Sequence, residues 1–369
     1  MQNKSVNIDT LVLETTRRCN MSCSHCLRGD AQDLDMPDTV LQQVFKTPMT
    51  LGSVVLSGGE PSLAVPVLQN ILQHIKTNRI PTTFYLVTNG KNISSNPEFL
   101  HTLLDWSIYC QPYTYDYFGE EYKSIALSED EFHEEISQKD KRILHMFANY
   151  SEFDKKIKKS NKNVHAYPVL INEGRARNLA YARKQEMPSY LKRCFGNCND
   201  NIVYSIDIEQ TASESAIRLE LMEPSITVNV HGWVLADCDN AYDNPVNLLG
   251  ILSDTHSLFD ILKETQEIME HADDGIFDLK TIWTETKAVH HNNQVSQYTH
   301  RKHGDDTIIT VDDETNQFTV TYQKNKPDDH YERTVICEGQ FQTEPEPYVI
   351  ANLIRVTENL INNHTESEE

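Results

Sequence analysis

From Ile8 to Arg183 the chain alternates short apolar runs with amphipathic segments, and this alternation restricts its fold more than any other feature. Ile8 to Thr15 predicts a strand. Pro37 to Phe45 predicts the first helix, with Pro near its start and Val40, Leu41 and Val44 at helical spacing. Val54 to Leu56 and Val65 to Ile75 give the second strand and helix, and Thr82 to Val87 the third strand, ending at Thr88-Asn89-Gly90. Pro97 to Leu104 predicts the third helix and Trp106 to Tyr109 the fourth strand. A longer helical section follows between Glu129 and Ile157, then a fifth strand at Val164 to Ile171 and a helix at Gly174 to Arg183. Repeated strand–helix units make an α/β protein with a parallel sheet and right-handed crossovers, closed or half-closed into a barrel. Ligand groups then gather at the carboxyl ends of the strands.

Two motifs fall at such ends. Directly after the first apolar run stands Thr16-Arg17-Arg18-Cys19-Asn20-Met21-Ser22-Cys23-Ser24-His25-Cys26. Three thiolates at C-x3-C-x2-C spacing can hold three irons of a cubane cluster and leave the fourth without a protein ligand, open to a small molecule. A zinc site completed by His25 is the competing reading, although no second cysteine knuckle follows closely. A disulfide is not expected, because Met1 to Ser5 is polar and lacks the apolar core of a secretory signal. The second motif is Ser57-Gly58-Gly59-Glu60-Pro61, one strand–helix unit later. Its glycines let the backbone turn at a strand end and approach a ligand, and Glu60 offers a carboxylate for an ammonium group.

Together these motifs resemble the signature of the radical S-adenosylmethionine (radical SAM) enzymes. The resemblance implies a partial (β/α)6 TIM-like barrel with a C-terminal α+β extension. It implies that Cys19, Cys23 and Cys26 ligate a [4Fe–4S] cluster whose open iron chelates S-adenosylmethionine. Gly58, Gly59 and Glu60 would fix the methionyl amine, and His25 stands where the family places an aromatic ring against the adenine. Thr88 and Asn89, after the third strand, would touch cofactor or substrate, though a plain Asn-Gly turn accounts for them equally. One-electron reduction, by a donor such as flavodoxin or ferredoxin, would cleave the sulfonium to a 5′-deoxyadenosyl radical that abstracts a substrate hydrogen. The family commonly shows Ser-x-Asp after the fourth strand, whereas this chain has Cys110-Gln111-Pro112, which leaves the ribose contact unassigned. Asn172-Glu173-Gly174-Arg175-Ala176 resembles a Gly-Arg-Ala segment of one branch of the family, and is otherwise an ordinary helix entry.

Composition narrows the partners. A net charge of −22 argues against nucleic acid as the primary ligand. The basic island at Lys139 to Arg142, Lys155, Lys156, Lys158, Lys159 and Lys162 reads as a solvated helix face. No apolar run approaches the roughly 18 residues of a membrane span, so a cytoplasmic enzyme is expected.

In the second half, Cys194 and Cys198 precede a strand at Ile226 to Val230, followed by His231-Gly232-Trp233-Val234-Leu235-Ala236-Asp237-Cys238 and Leu248-Leu249-Gly250-Ile251. This order partly resembles the SPASM or twitch auxiliary region. Cys194, Cys198 and Cys238 could hold a second iron–sulfur cluster, a zinc ion, or no metal at all. Relatives with such regions often modify peptides or proteins, which makes a peptidyl substrate the first expectation. A non-catalytic iron–sulfur or S-adenosylmethionine-binding sensor is the alternative. The domains expected are 1–190 (core), 191–264 (auxiliary region) and 265–369 (accessory region). In the last, Asp306 to Lys324 predicts a hairpin around Asp312-Asp313-Glu314-Thr315, Pro347 to Ile361 predicts a closing helix, and His290, His291, His300 and His303 read as solvated loop residues rather than a metal cluster. A Cys19/Cys23/Cys26→Ala triple variant tests the auxiliary site. Iron–sulfur absorbance surviving in it is expected if a second cluster is bound, and a colourless protein would remove that cluster.

Overall fold

The computed structural model describes residues 3–113, 124–130, 132–147, 170–180, 184–187, 189–191, 195, 206–213, 215–223, 225–237, 240–271, 279–291, 294–325 and 331–365. The chain divides into two compact units, one of Met1–Glu186 with Ile208–Trp233, the other of Met187–Asp207 with Val234–Glu369.

The first unit is built on strands β1 (Asn3–Thr16), β2 (Met49–Gly58), β3 (Thr83–Thr88) and β4 (Ile125–Leu127), which lie side by side in that order and run parallel. Helices α1 (Asp38–Lys46), α2 (Val65–Thr77) and α3 (Pro97–Cys110) connect them, and α4 (Gln138–Phe147) follows β4. Strand β1 is buried without interruption from Leu11 to Thr16, the pattern of a parallel strand covered on both faces rather than the alternation of a half-solvated one. Leu41 and Val44 of α1 and Leu68, Ile71 and Ile75 of α2 are fully or almost fully buried, as are Leu11, Leu13, Val54, Leu56 and Leu86 of the strands. Two short strands, β5 (Leu170–Ile171) and β6 (Lys184–Gln185), pair parallel with each other. On the other flank of β1, β7 (Asp207–Ala212) pairs with β8 (Ala216–Glu223). Strands β8 and β9 (Ile226–Val228) share that edge of β1 in turn, both parallel to it.

One expectation is overturned. Trp106 to Tyr109 is not a strand, because α3 runs on to Cys110, and the fourth strand is Ile125–Leu127. Phe99, Leu103, Trp106 and Cys110 repeat at helical spacing and are all buried, and the indole Nε1 of Trp106 donates to the Leu68 carbonyl of α2 at 3.1 Å. No breaker stands between Leu104 and Pro112 to stop the helix. Cys110 is buried at the end of this helix. The segment after β5 is also shorter than expected, a 3-10 turn at Gly174–Asn178. Most of the expected fifth strand, Val164 to Pro168 and Val169, lies outside the described residues.

The second unit contains β10 (Trp233–Ala236, from Val234 on), β11 (Leu248–Ile251), helix α5 (Leu258–His271) and helix α6 (Leu279–Glu285). An antiparallel meander comes next: β12 (Lys287–His291), β13 (Val295–Lys302), β14 (Asp305–Asp312), β15 (Gln317–Asn325) and β16 (Tyr331–Gln340). The predicted hairpin is present, its turn held by Asp312 Oδ1, which accepts from the Glu314 and Thr315 amides at 3.0 and 2.8 Å. The closing helix α7 (Pro347–Thr365) is tied to β11 by Asn352 Nδ2 donating to the Leu248 carbonyl and Arg355 Nη2 to the Leu249 carbonyl, at 2.8 and 2.9 Å. The expectation of solvated loop histidines fails for three of the four: His290 and His291 lie on β12 and His300 on β13, with His300 buried against Glu358 at 2.7 Å and His290 bonded to Ser296 at 2.7 Å. Among the described residues no helix is long and apolar enough to cross a membrane.

Trp106→Ala should lower the free energy of unfolding by about 3–5 kcal/mol, read from the shift of the urea transition. An unmoved transition would contradict the place of Trp106 between α2 and α3.

Candidate iron–sulfur site

The chain leaves the sheet at the carboxyl end of β1 through an irregularity. Glu14 pairs with Ser57 and Thr16 with Gly58, so β1 carries one residue more than its partner at this point. Beyond it the chain forms a loop closed at its neck. The Arg17 amide donates to the Leu34 carbonyl at 2.8 Å, the Gln32 amide to the Arg17 carbonyl at 3.1 Å, and the Met36 amide to the Thr15 carbonyl at 3.0 Å. Under the loop, the fully buried Arg17 guanidinium bonds Glu14 Oε2 at 3.1 Å and Gln32 Oε1 at 3.0 Å, which offsets the cost of burying its charge. Arg18 grips Asp35 through two nitrogens, at 2.8 and 2.6 Å.

Cys19, Cys23 and Cys26 lie in this loop as half-buried free thiols. Burial pushes the Cys19 thiol up, and the nearby Glu60, Cys23 and Cys26 add to the effect. Asn89 Nδ2 approaches the Cys19 sulfur at 3.7 Å and also donates to Asn20 Oδ1 at 2.9 Å.

Gly58 and Gly59 are placed against protein backbone. The Gly59 amide donates to the Thr16 carbonyl and the Glu60 amide to the Arg18 carbonyl, each at 2.7 Å. A Cβ at Gly58 would stand 2.2 Å from the Thr16 carbonyl oxygen, and one at Gly59 would stand 2.3 Å from that of Arg18. The glycines are required for this contact between the ends of β1 and β2. The Glu60 carboxylate, expected to face an ammonium group, is turned inward and completely buried. Its Oε1 accepts from the Ser62 amide at 3.0 Å and the Thr88 hydroxyl at 2.8 Å, and its Oε2 from the Asn89 amide at 2.7 Å. Burial raises its pKa against these hydrogen bonds. Through Thr88 and Asn89, Glu60 joins the second motif to the first cysteine.

A second group of side chains beside the loop was not expected. His25 stacks on Phe132 with centroids 4.8 Å apart and planes 24° apart, and meets His133 edge-on at 4.9 Å. Asp130 lies between the two histidines, 3.4 Å from His25 Nε2 and 2.7 Å from His133 Nδ1. Burial pulls the His133 pKa down, but Asp130 and the Cys23 sulfur outweigh it and carry it to about 10. Asp130, raised by burial, is drawn down to about 2 by His133, the Phe132 amide and His25. Burial lowers the pKa of His25. One face of the His25 ring is thus covered by Phe132. The Gly174-Arg175 segment closes the loop from another side, its Arg175 amide donating to the Cys26 carbonyl at 2.9 Å. Gly174 has φ +53°, and a Cβ there would stand 2.6 Å from that same oxygen. Cys194, Cys198 and Cys238 lie outside the described residues.

The donor set fits an iron–sulfur cluster: three free thiols on one closed loop, with Asn89 as an N–H donor to the Cys19 sulfur. Residues 12–106 match the family model of a 4Fe–4S single cluster domain, a stretch that includes all three cysteines, Gly58 to Glu60, Thr88 and Asn89. The chain resembles the radical SAM enzymes through the motifs in that same stretch. Among solved structures it is similar to anSMEcpe with bound AdoMet and Cp18Cys peptide, at 12% identity over 73% of this chain and 83% of that one, with a TM-score of 0.30. It is also similar to Streptococcus suis SuiB bound to precursor peptide SuiA, at 13% identity over 62% of this chain and 58% of that one, with a TM-score of 0.26. Likenesses this distant transfer no residue role. No curated protein gives a significant match to the sequence.

Thiol labelling tests the arrangement. Burial pushes Cys110 and Cys337 up to about 12, so neither should alkylate in the folded protein at neutral pH. Cys19, Cys23 and Cys26 should alkylate in cluster-free protein and become protected on loading, as mass spectrometry of peptides would report. Labelling of all three that is unchanged by loading would contradict their role.

Proposed function

We propose that this chain is a radical SAM enzyme whose [4Fe–4S] cluster is held by Cys19, Cys23 and Cys26. One observation carries the reading: three free thiols sit on a closed loop that is fastened, backbone to backbone, to a Gly-Gly-Glu segment at the next strand end. The match of residues 12–106 to a 4Fe–4S single cluster domain supports it. When bound, such a cluster supplies the electron that cleaves S-adenosylmethionine to a 5′-deoxyadenosyl radical, which takes a substrate hydrogen.

The residues around the loop have separable tasks. Gly58, Gly59 and the Glu60 backbone line the strand end where the methionyl amine would be held. The Glu60 carboxylate fixes Thr88 and Asn89, and Asn89 steadies the Cys19 sulfur. The His25 ring, supported from behind by Phe132, offers its other face to the adenine. The parallel strands β1 to β4 belong, in this reading, to a half-closed (β/α)6 barrel spanning 1–190, followed by an auxiliary region at 191–264 and an accessory region at 265–369. The partial SPASM-like order from Cys194 to Cys238 supports a peptide or protein substrate and a second cluster. Flavodoxin or ferredoxin would serve as electron donor. A cytoplasmic location, where thiols stay reduced, belongs to the same proposal.

The test is anaerobic reconstitution with iron and sulfide, reduction by dithionite, and an assay for 5′-deoxyadenosine. Release of 5′-deoxyadenosine by wild type, and none by the Cys19/Cys23/Cys26→Ala variant, is expected. A fully loaded cluster that releases neither 5′-deoxyadenosine nor methionine, even with cell extract present, would favour the non-catalytic sensor.

A further inference from the structure

Asn89 stands between the two motifs, and its side chain is used at every polar atom. Its Nδ2 carries two N–H groups. One donates to Asn20 Oδ1 at 2.9 Å, and the other meets the Cys19 sulfur, a larger acceptor than oxygen, at 3.7 Å. Its Oδ1 accepts from the Lys91 amide at 2.9 Å. Asn20 is fixed in turn, because its Nδ2 donates to the Lys91 carbonyl at 3.2 Å. Backbone groups of Lys91 therefore set which end of each side-chain amide is nitrogen. Turning Asn89 over would aim its oxygen at Asn20 Oδ1 and at the sulfur, and its nitrogen at the Lys91 N–H. The main chain is held as well, since the Asn89 amide donates to Glu60 Oε2 at 2.7 Å, and the residue is 7% exposed, so water competes poorly for these bonds. An Asn-Gly turn accounts for the bond from Lys91 to Oδ1 but not for either bond of Nδ2. A side-chain amide held by Asn20, Lys91 and Glu60, with one N–H left for a cysteine sulfur, is placed to act on that sulfur.

We propose that Asn89, aimed by Asn20, is a positioning residue that donates an N–H to the Cys19 sulfur and raises the reduction potential of the cluster. The inference rests on the reading of Cys19, Cys23 and Cys26 as cluster ligands. Reduction adds one electron, and part of the added charge resides on the ligand sulfurs. A donor aimed at one of them stabilises the reduced state more than the oxidised one. Loss of the donor alone therefore lowers the potential. A looser loop that admits water raises it instead, because water also stabilises the added charge. The sign of the shift separates the proposed role from a merely structural one.

The experiment is a redox titration of the reconstituted full-length protein, followed by electron paramagnetic resonance (EPR), with iron counted in every sample. Asn89→Leu fills the site without a donor. It should reduce the ratio of reduced to oxidised cluster about tenfold at a fixed potential, a shift of about 59 mV downward for one electron. Asn89→Gln keeps an N–H and should recover part of that shift. Asn20→Ala releases the aim of the amide and should shift the potential in the same direction, and the Asn20→Ala/Asn89→Leu double variant should go no further than Asn89→Leu alone. A potential equal to or above wild type in a fully loaded Asn89→Leu variant would overturn the proposal while leaving the cluster reading intact. If Asn89→Leu holds no iron, Asn20→Ala and Asn89→Ser, whose shorter side chain cannot reach both partners, carry the comparison. A potential equal to or above wild type in either would overturn the proposal. Loss of iron from all three would assign Asn89 to holding the loop and likewise overturn it. Wild-type protein that assembles no cluster would remove the reading beneath and this proposal with it.

Discussion

Two backbone hydrogen bonds, from Gly59 to Thr16 and from Glu60 to Arg18, hold the carboxyl ends of the first two strands together, and the site depends on them. Each is 2.7 Å long, and each exists because no Cβ stands in the way. The extra residue in β1 turns the chain out of the sheet here, and the neck of the loop closes over the buried Arg17. A loop that must present three sulfurs at once needs its two ends fixed. The seam fixes one of them to the second strand, and the bonds to Leu34 and Met36 fix the other.

The buried Glu60 extends this fastening to the third strand. A carboxylate removed from water is costly unless its oxygens are hydrogen-bonded, and three donors meet it, two of them from Thr88 and Asn89. Asn89 then reaches the Cys19 sulfur, so one polar chain runs from the second motif through the third strand end to the first cysteine. On another side Arg175 reaches the Cys26 carbonyl through its backbone. Cys19 and Cys26 are thus held from different parts of the fold.

Much of this was legible in the sequence, because strand ends and motifs are local. The apolar runs at Ile8 and Val54 placed both motifs at strand ends, and Thr88-Asn89 fell beside them. The burial of the Glu60 side chain was not legible, since two of its three donors, Thr88 and Asn89, come from the next strand end. Trp106 to Tyr109 reads as a strand by composition, whereas the spacing Phe99, Leu103, Trp106, Cys110 already carried the longer helix. Asp130, Phe132 and His133 left no signal, for they lie more than a hundred residues from His25 and meet it only through the tertiary fold.

The central claim is that the loop leaves one iron of its cluster open to S-adenosylmethionine. EPR of the dithionite-reduced, reconstituted protein with and without S-adenosylmethionine tests it most directly. A distinct reduced-cluster spectrum on adding S-adenosylmethionine is the result expected, since a ligand on the open iron changes the cluster's electronic environment. Superimposable spectra at saturating S-adenosylmethionine would mean that nothing binds there, and would contradict the claim.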